Sequence, residues 1–215
     1  MRTPPAIVFD LDGTLIDSAP GIRHCLAATL IEWGRDPERE LPDDLIGPPL
    51  AETFESLGFA GHELEAVVDT YRGHYAILGV SECTTYPGVQ ELLDEASQRG
   101  LALGVATSKF EPYARQILER LGLAPYFTSV RGDTRESRRN KADIARLVLD
   151  EVGVPPAPEV WMVGDRRYDV VAARELGLLS VGALWGYGSR EELSAAGAVV
   201  LAESAGEVLS RLRLT

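Results

Sequence analysis

Two aspartates one residue apart, Asp10 and Asp12, follow directly on the apolar run Ala6-Ile7-Val8-Phe9. That run predicts a short buried strand. A carboxylate at the end of such a strand has to be hydrogen-bonded, metal-bound or protonated, because burying an unpaired charge is costly. Gly13 then allows a sharp turn and Thr14 adds a hydroxyl. Two further apolar runs, Leu101 to Ala106 and Val160 to Val163, also close on polar groups, Thr107-Ser108-Lys109 and Gly164-Asp165. Singly, Asp12-Gly13 reads as a turn, Thr107-Ser108 as a helix cap and Asp165 as a turn residue. Those readings do not explain why all three occur at strand ends. The lysines add to the pattern. Of 21 basic residues only Lys109 and Lys141 are not arginine, so these two positions ask for a compact point charge instead of a planar fork.

These groups act together only if the elements behind them form one sheet. From Tyr86-Pro87-Gly88 onward the chain alternates helical and strand patterns. Predicted helices cover Val89 to Arg99, Pro112 to Leu121, Lys141 to Val152, Val170 to Leu176 and a last one near Ala205 to Leu212. Predicted strands cover Leu101 to Ala106, Phe127 to Val130, Val160 to Val163, Leu179 to Ala183 and Ala198 to Val200. Repeated βα units imply an α/β fold, a doubly wound parallel sheet with helices on both faces, whose ligands sit beyond the carboxyl ends of the strands. Between Ile16 and Thr85 no strand is expected. Ser18 and Pro20 suit the start of a helix whose stripe is Ile22, Leu26, Leu30 and Trp33. Two more helices are expected over Leu50 to Leu57 and His62 to Ile77, with the stiff loop Leu45-Ile46-Gly47-Pro48-Pro49 before them. Residues 17–85 therefore read as a helical insertion into a core made of 1–16 and 86–215, with hinges at the two crossings.

Composition narrows the function. With 45% hydrophobic and 25% charged residues the chain is an ordinary globular protein. Its net charge of −12 argues against a nucleic-acid partner, whose phosphates demand a basic footprint. No apolar stretch approaches the roughly 20 residues of a membrane helix. The start Met1-Arg2-Thr3-Pro4-Pro5 has no signal-peptide pattern, and Cys25 and Cys83 form no disulfide framework, which gives a cytoplasmic expectation. His24, His62 and His74 lack metal-ligand spacing. Cys83 has nothing nearby to activate it, and Arg23, Arg166 and Arg167 read as solvated surface. Oligomeric state is not legible.

The chain resembles the haloacid dehalogenase-like superfamily of phosphohydrolases, in particular its phosphoglycolate phosphatase-like members with a helical cap after the first strand. Asp10-Leu11-Asp12-Gly13-Thr14-Leu15-Ile16-Asp17-Ser18 matches the first family motif, Thr107 the second, Lys141 the third, and Gly164-Asp165-Arg166-Arg167-Tyr168-Asp169 the fourth. Ile46-Gly47-Pro48-Pro49-Leu50 and Leu184-Trp185-Gly186-Tyr187-Gly188 are also similar to segments of these phosphatases. The charged stretch Gly132 to Asn140, with Arg131, Arg135, Arg138 and Arg139 around it, departs from a simple loop and would carry Lys141 on an arm.

The resemblance implies a Mg²⁺-dependent phosphomonoesterase acting on a small phosphorylated metabolite. It gives Asp10 the role of nucleophile and Asp12 that of acid and then base, with Lys141 neutralising charge. Asp10, Asp12 (through its carbonyl) and Asp165 would hold Mg²⁺, Thr107, Ser108 and Lys109 would meet the substrate, and Asp169 would support the site from behind. A phosphomutase of the same superfamily and a nucleotidase or pyrophosphatase are the alternatives. Dehalogenase chemistry needs neither an acid at Asp12 nor a metal ligand at Asp165, and a non-catalytic descendant would be expected to lack at least one of these residues.

Overall fold

The structure, a computed structural model, describes residues 6–41, 46, 48–134 and 139–212. Met1 to Pro5, Leu45, Gly47, Arg135 and Arg138, which enter the sequence reading, lie outside the described residues. The chain divides into two units, Met1–Asp17 with Thr85–Thr215, and Ser18–Thr84.

In the first unit, β1 (Ala6–Phe9) is buried along its whole length. It is flanked by β4 (Ala102–Phe110) and β6 (Trp161–Gly164), both parallel to it. The sheet continues to β5 (Ser129–Asp133) beyond β4, and to β7 (Leu179–Ala183) and β8 (Val200–Ala202) beyond β6, again in parallel pairings. The order β5-β4-β1-β6-β7-β8 reverses direction beside β1. This is the Rossmann-like doubly wound arrangement, whose crevice opens at the reversal. Register decides what meets there. Phe9 stands level with Val105 on one side and Val163 on the other, so Asp10, Thr107 and Asp165 follow at the same edge, Thr107 still within β4.

Apolar residues on both sides of each strand are what a sheet covered on two faces requires. Ala6, Val8, Ala106 and Met162 pack against Ile144, Ala145, Val148 and Leu149 of α7 (Lys141–Val152) and Ala172, Ala173 and Leu176 on and after α8 (Arg167–Glu175). The alternate residues Ile7, Phe9, Leu103, Val105 and Trp161 are also buried, and Phe9 meets Phe127 edge-on at 6.3 Å. β5 starts at Ser129 and not at Phe127, because Phe127 closes the short turn Ala124–Tyr126. Similarly α8 begins three residues before the expected Val170, because Asp169 Oδ2 reaches back to accept from Arg166 N while Asp169 N donates to Arg166 O, closing the first turn. The remaining helices of this unit are α5 (Val89–Gln98), α6 (Glu111–Arg120), α9 (Arg190–Ala196) and α10 (Val208–Arg211).

The second unit holds α1 (Ala19–Glu32), α2 (Pro37–Glu40), α3 (Leu50–Ser56) and α4 (Gly61–His74), and α4 runs on into a π-helical turn, Tyr75–Gly79. Its core is aromatic: Phe54 sits 5.7 Å from Phe59 and 6.0 Å from Tyr71, and Trp33 stands edge-on to Phe59 at 5.4 Å. α2 escaped the sequence reading because four residues carry no periodicity; Asp36 caps it by accepting from Glu38 N. Ser18 precedes α1 but its side chain does not cap the helix. Here two of the three histidines pair with carboxylates, His24 with Glu82 and His74 with Glu32. Two short strands, β2 (Ile16–Asp17) and β3 (Thr84–Thr85), pair with each other where the chain crosses between units. Among the described residues no helix is long and apolar enough to cross a membrane.

Candidate active site

β1 pairing extends one residue past the strand, with Asp10 N donating to Val163 O at 2.8 Å. The chain then folds back on itself, and Leu15 N and Ile16 N both reach Leu11 O. Gly13 has φ +80°, and a Cβ there would overlap the Asp165 carboxylate. Only glycine lets the backbone pass this close to another strand's acid.

Asp10 is buried, and its Oδ1 accepts from Lys141 Nζ at 2.6 Å. Lys141, the first residue of α7, is just as buried and also donates to Ala106 O at 3.1 Å. Asn140 caps that helix by accepting from Asp143 N, which fixes the lysine's starting point despite the charged stretch before it. The same ammonium lies 3.1 Å from Asp169 Oδ1, so it is shared between two buried carboxylates. Asp169 Oδ2 accepts from Arg166 N. Asp165, fully buried, accepts from Thr14 Oγ1 at 3.2 Å and from Tyr187 N at 2.8 Å. Carboxylate oxygens of Asp10, Asp165 and Asp169 all lie within 4.8 Å of one another.

So many acids in one buried place are electrostatically expensive, and the titration directions say so. Burial pushes the Asp10 carboxyl up to about 7; Lys141 opposes this and the Asp169 charge adds to it. Burial, then the charges of Asp10 and Asp169, also raises Asp165 well above the carboxylate range. For Lys141 burial works downward, but Asp10 and Asp169 outweigh it and hold the ammonium above its ordinary value. The cluster is therefore short of positive charge. Fully ionised, the four carboxylates with Asp12 face two ammoniums, and one divalent cation would balance them. Hard oxygens from three buried carboxylates at this close spacing fit such an ion.

Asp12 lies beside this cluster and pairs through Oδ1 with Lys109 Nζ at 3.1 Å. Thr107 is buried and its Oγ1 accepts from Lys109 N at 3.1 Å, using the hydroxyl as acceptor while its hydrogen remains a donor. Ser108 is half-buried next to it. All the sequence-predicted site residues, Asp10, Asp12, Thr107, Ser108, Lys109, Lys141, Asp165 and Asp169, thus stand at the same end of the sheet. Arg166 departs from the solvated reading, since its side chain is held by Glu192 at 2.9 Å.

The sequence reading gave no role to the loop after β7. Trp185 Nε1 donates to Thr14 O at 2.9 Å, Tyr187 N holds Asp165, and Tyr187 OH reaches Asp17 Oδ1 at 3.2 Å. A Cβ on Gly186 would overlap Gly13 O and the Asp165 side chain. Nearby, burial and then the Asp17 charge push Tyr86 up to about 12, against a hydrogen bond with Tyr187. The available signal was the spacing of Gly186 and Gly188 around Tyr187, which marks backbone in close approach.

A sequence profile described as haloacid dehalogenase-like hydrolase matches residues 7–183. The chain is 36% identical to the tyrosine-protein kinase PtkA of Mycobacterium tuberculosis, over 95% of this chain and 70% of that protein. It is also 36% identical to a phosphoglycolate phosphatase of Rhodospirillum rubrum, over 92% of this chain and 86% of that one. A crystal structure described as a predicted phosphatase from Clostridium acetobutylicum superposes with a TM-score of 0.89 at 33% identity, covering 98% of each chain.

Proposed function

The chain belongs to the haloacid dehalogenase-like hydrolases, and from that membership we propose that it is a Mg²⁺-dependent phosphomonoesterase of small phosphorylated metabolites, phosphoglycolate foremost. The observation that carries this is the buried Asp10, clamped by Lys141 and set within one ligand sphere of Asp165 and Asp169. Similarity to an enzyme named phosphoglycolate phosphatase supports the substrate class.

In this reading Asp10 attacks the substrate phosphorus in line with the leaving oxygen, and the phosphorus–oxygen bond to the substrate breaks as a phosphoryl–Asp10 ester forms. Asp12 gives its proton to the departing oxygen, which leaves as an alcohol. A water then attacks the same phosphorus and yields its proton to Asp12, and inorganic phosphate leaves with Asp10 restored. Lys141 holds Asp10 in place and offsets the charge that builds on the phosphoryl oxygens, while the Thr107 hydroxyl and Ser108 N–H receive them. Asp10 and Asp165 side chains with the Asp12 carbonyl would hold Mg²⁺, and Asp169 would orient its surroundings. Bound there, the ion supplies electrostatic relief that keeps Asp10 ionised near neutral pH and draws the phosphate dianion into an acidic site.

The test is phosphate release from a panel of phosphorylated metabolites with Mg²⁺, together with Asp10→Asn. The proposal expects turnover of p-nitrophenyl phosphate by the parent and a loss of about 10³-fold or more in the variant, of the order seen when a nucleophile is removed. Metal-dependent turnover that persists in Asp10→Asn would count decisively against it. An isomerised sugar phosphate without free phosphate would point to the phosphomutase.

A further inference from the structure

The chain's two lysines stand on different aspartates of the same turn: Lys141 Nζ is 2.6 Å from Asp10 and Lys109 Nζ is 3.1 Å from Asp12. We propose that Lys109 is the positioning residue of Asp12 and not a ligand of the phosphoryl group, an inference that rests on the acid role given to Asp12 above. The lysine side chain is 8% exposed and that of Asp12 19%, so the pair is withdrawn from water. Its backbone is fixed as well. The pairing of β4 with β5 is irregular between Ala106 and Phe110, Lys109 N is tied to Thr107 Oγ1, and Gly132 lies so close to Lys109 O that a Cβ there would overlap it. Lys109 sits inside this irregularity with its ammonium on Asp12.

A point charge on Oδ1 sets the rotation of the Asp12 carboxyl and presents its second oxygen in one orientation. An arginine would engage both oxygens with its fork. This accounts for a lysine at 109 in a chain that otherwise uses arginine for nearly every positive charge. Lys109 then acts on the step that needs a proton, not on binding the phosphate.

The experiment compares kcat/KM for phenyl phosphate, whose leaving oxygen needs a proton, with that for p-nitrophenyl phosphate, whose phenolate departs unaided. Circular dichroism and thermal melting confirm that each variant is folded. Lys109→Met should lower kcat/KM on phenyl phosphate about tenfold more than on p-nitrophenyl phosphate, a fraction of what a general acid contributes. The inhibition constant of inorganic phosphate should move by less than about twofold, since uniform phosphate binding is untouched. Asp12→Asn should show the same discrimination more strongly, and the double variant should be no worse than Asp12→Asn, the non-additivity of residues acting as a unit. Lys109→Gln, which keeps most of the length, gives the second reading should Met fail to fold. Phosphate inhibition weakened about tenfold, with both substrates suffering alike, would make Lys109 a phosphate ligand and overturn the inference. So would a double variant in which the two losses multiply. If Asp12→Asn itself ignores the leaving group, the acid role falls first and Lys109 with it; if only the lysine variants ignore it, the inference alone fails.

Discussion

At Asp10 two effects oppose each other. Burial favours the neutral acid while Lys141 at 2.6 Å favours the carboxylate, and without a metal burial wins, holding the group at about 7. An acid whose folded value is raised contributes stability that is fully present below its unfolded value, about 4, and lost as pH climbs through its folded value. Asp165 is shifted in the same direction, so it adds to the trend. Through Asp10 the metal-free protein should therefore lose stability between about pH 4 and pH 7, with Asp165 acting in the same direction. A divalent cation held by these carboxylates would compete with the same protons, so its effect would run the other way. We expect the rise in Tm on adding Mg²⁺ to be small at pH 5 and to grow through pH 7 to 8, measured by calorimetry with and without EDTA. A metal-induced rise that is flat over that range would contradict the assignment of Asp10 and Asp165.

The loop after β7 fixes the element that carries Asp165. Its indole and amide hydrogen bonds hold the Thr14 carbonyl and the Asp165 carboxylate, and Gly186 permits the approach. Gly186→Ala should displace Asp165 and weaken Mn²⁺ or Mg²⁺ binding by about 10- to 100-fold, the usual cost of losing support around a metal ligand. Isothermal titration of the metal reads this directly, and unchanged affinity would show that the loop does not position the acid. This loop also shows where the sequence stops being informative. The end of β1 at Phe9 was legible, and that of β6 to within a residue, because apolar runs there are followed by acids, and α7 was legible to the residue. β4 runs four residues past the expected Ala106 to Phe110, because its pairing with β5 resumes at Phe110. Asp12-Gly13 and Asp165 announced the site by type and spacing. The contacts of Trp185, Tyr187 and Thr14 were not legible, because they are side-chain hydrogen bonds between segments some 150 or more residues apart that leave no periodicity. Nor was the starting residue of β5, which follows the turn Ala124–Tyr126, or of α8, whose first turn is closed by Asp169 reaching back to Arg166 N where a serine or aspartate before the helix would have been the recognisable signal.

On the scale of the molecule, the chain is a sheet interrupted once. The helical unit Ser18–Thr84 leaves and re-enters the core beside one two-stranded pairing, Ile16–Asp17 with Thr84–Thr85, so the insertion begins and ends at one place. Each unit has its own core, the sheet of one and the aromatic cluster of Phe54, Phe59 and Tyr71 in the other. Joining Asp17 to Thr85 through a short glycine-containing turn should therefore leave a core that melts in one cooperative transition and whose Tm still rises with Mg²⁺. A chain that fails to fold when trimmed in this way would show that the sheet depends on its insertion. The central claim, that Asp10 accepts the phosphoryl group, is tested most directly by quenching a single turnover in acid and mapping the protein by mass spectrometry. We predict one added phosphoryl group on the peptide that carries Asp10, sensitive to hydroxylamine and absent from Asp10→Asn. A quenched enzyme that has released phosphate yet carries no such group, or carries it on another residue, would contradict the account.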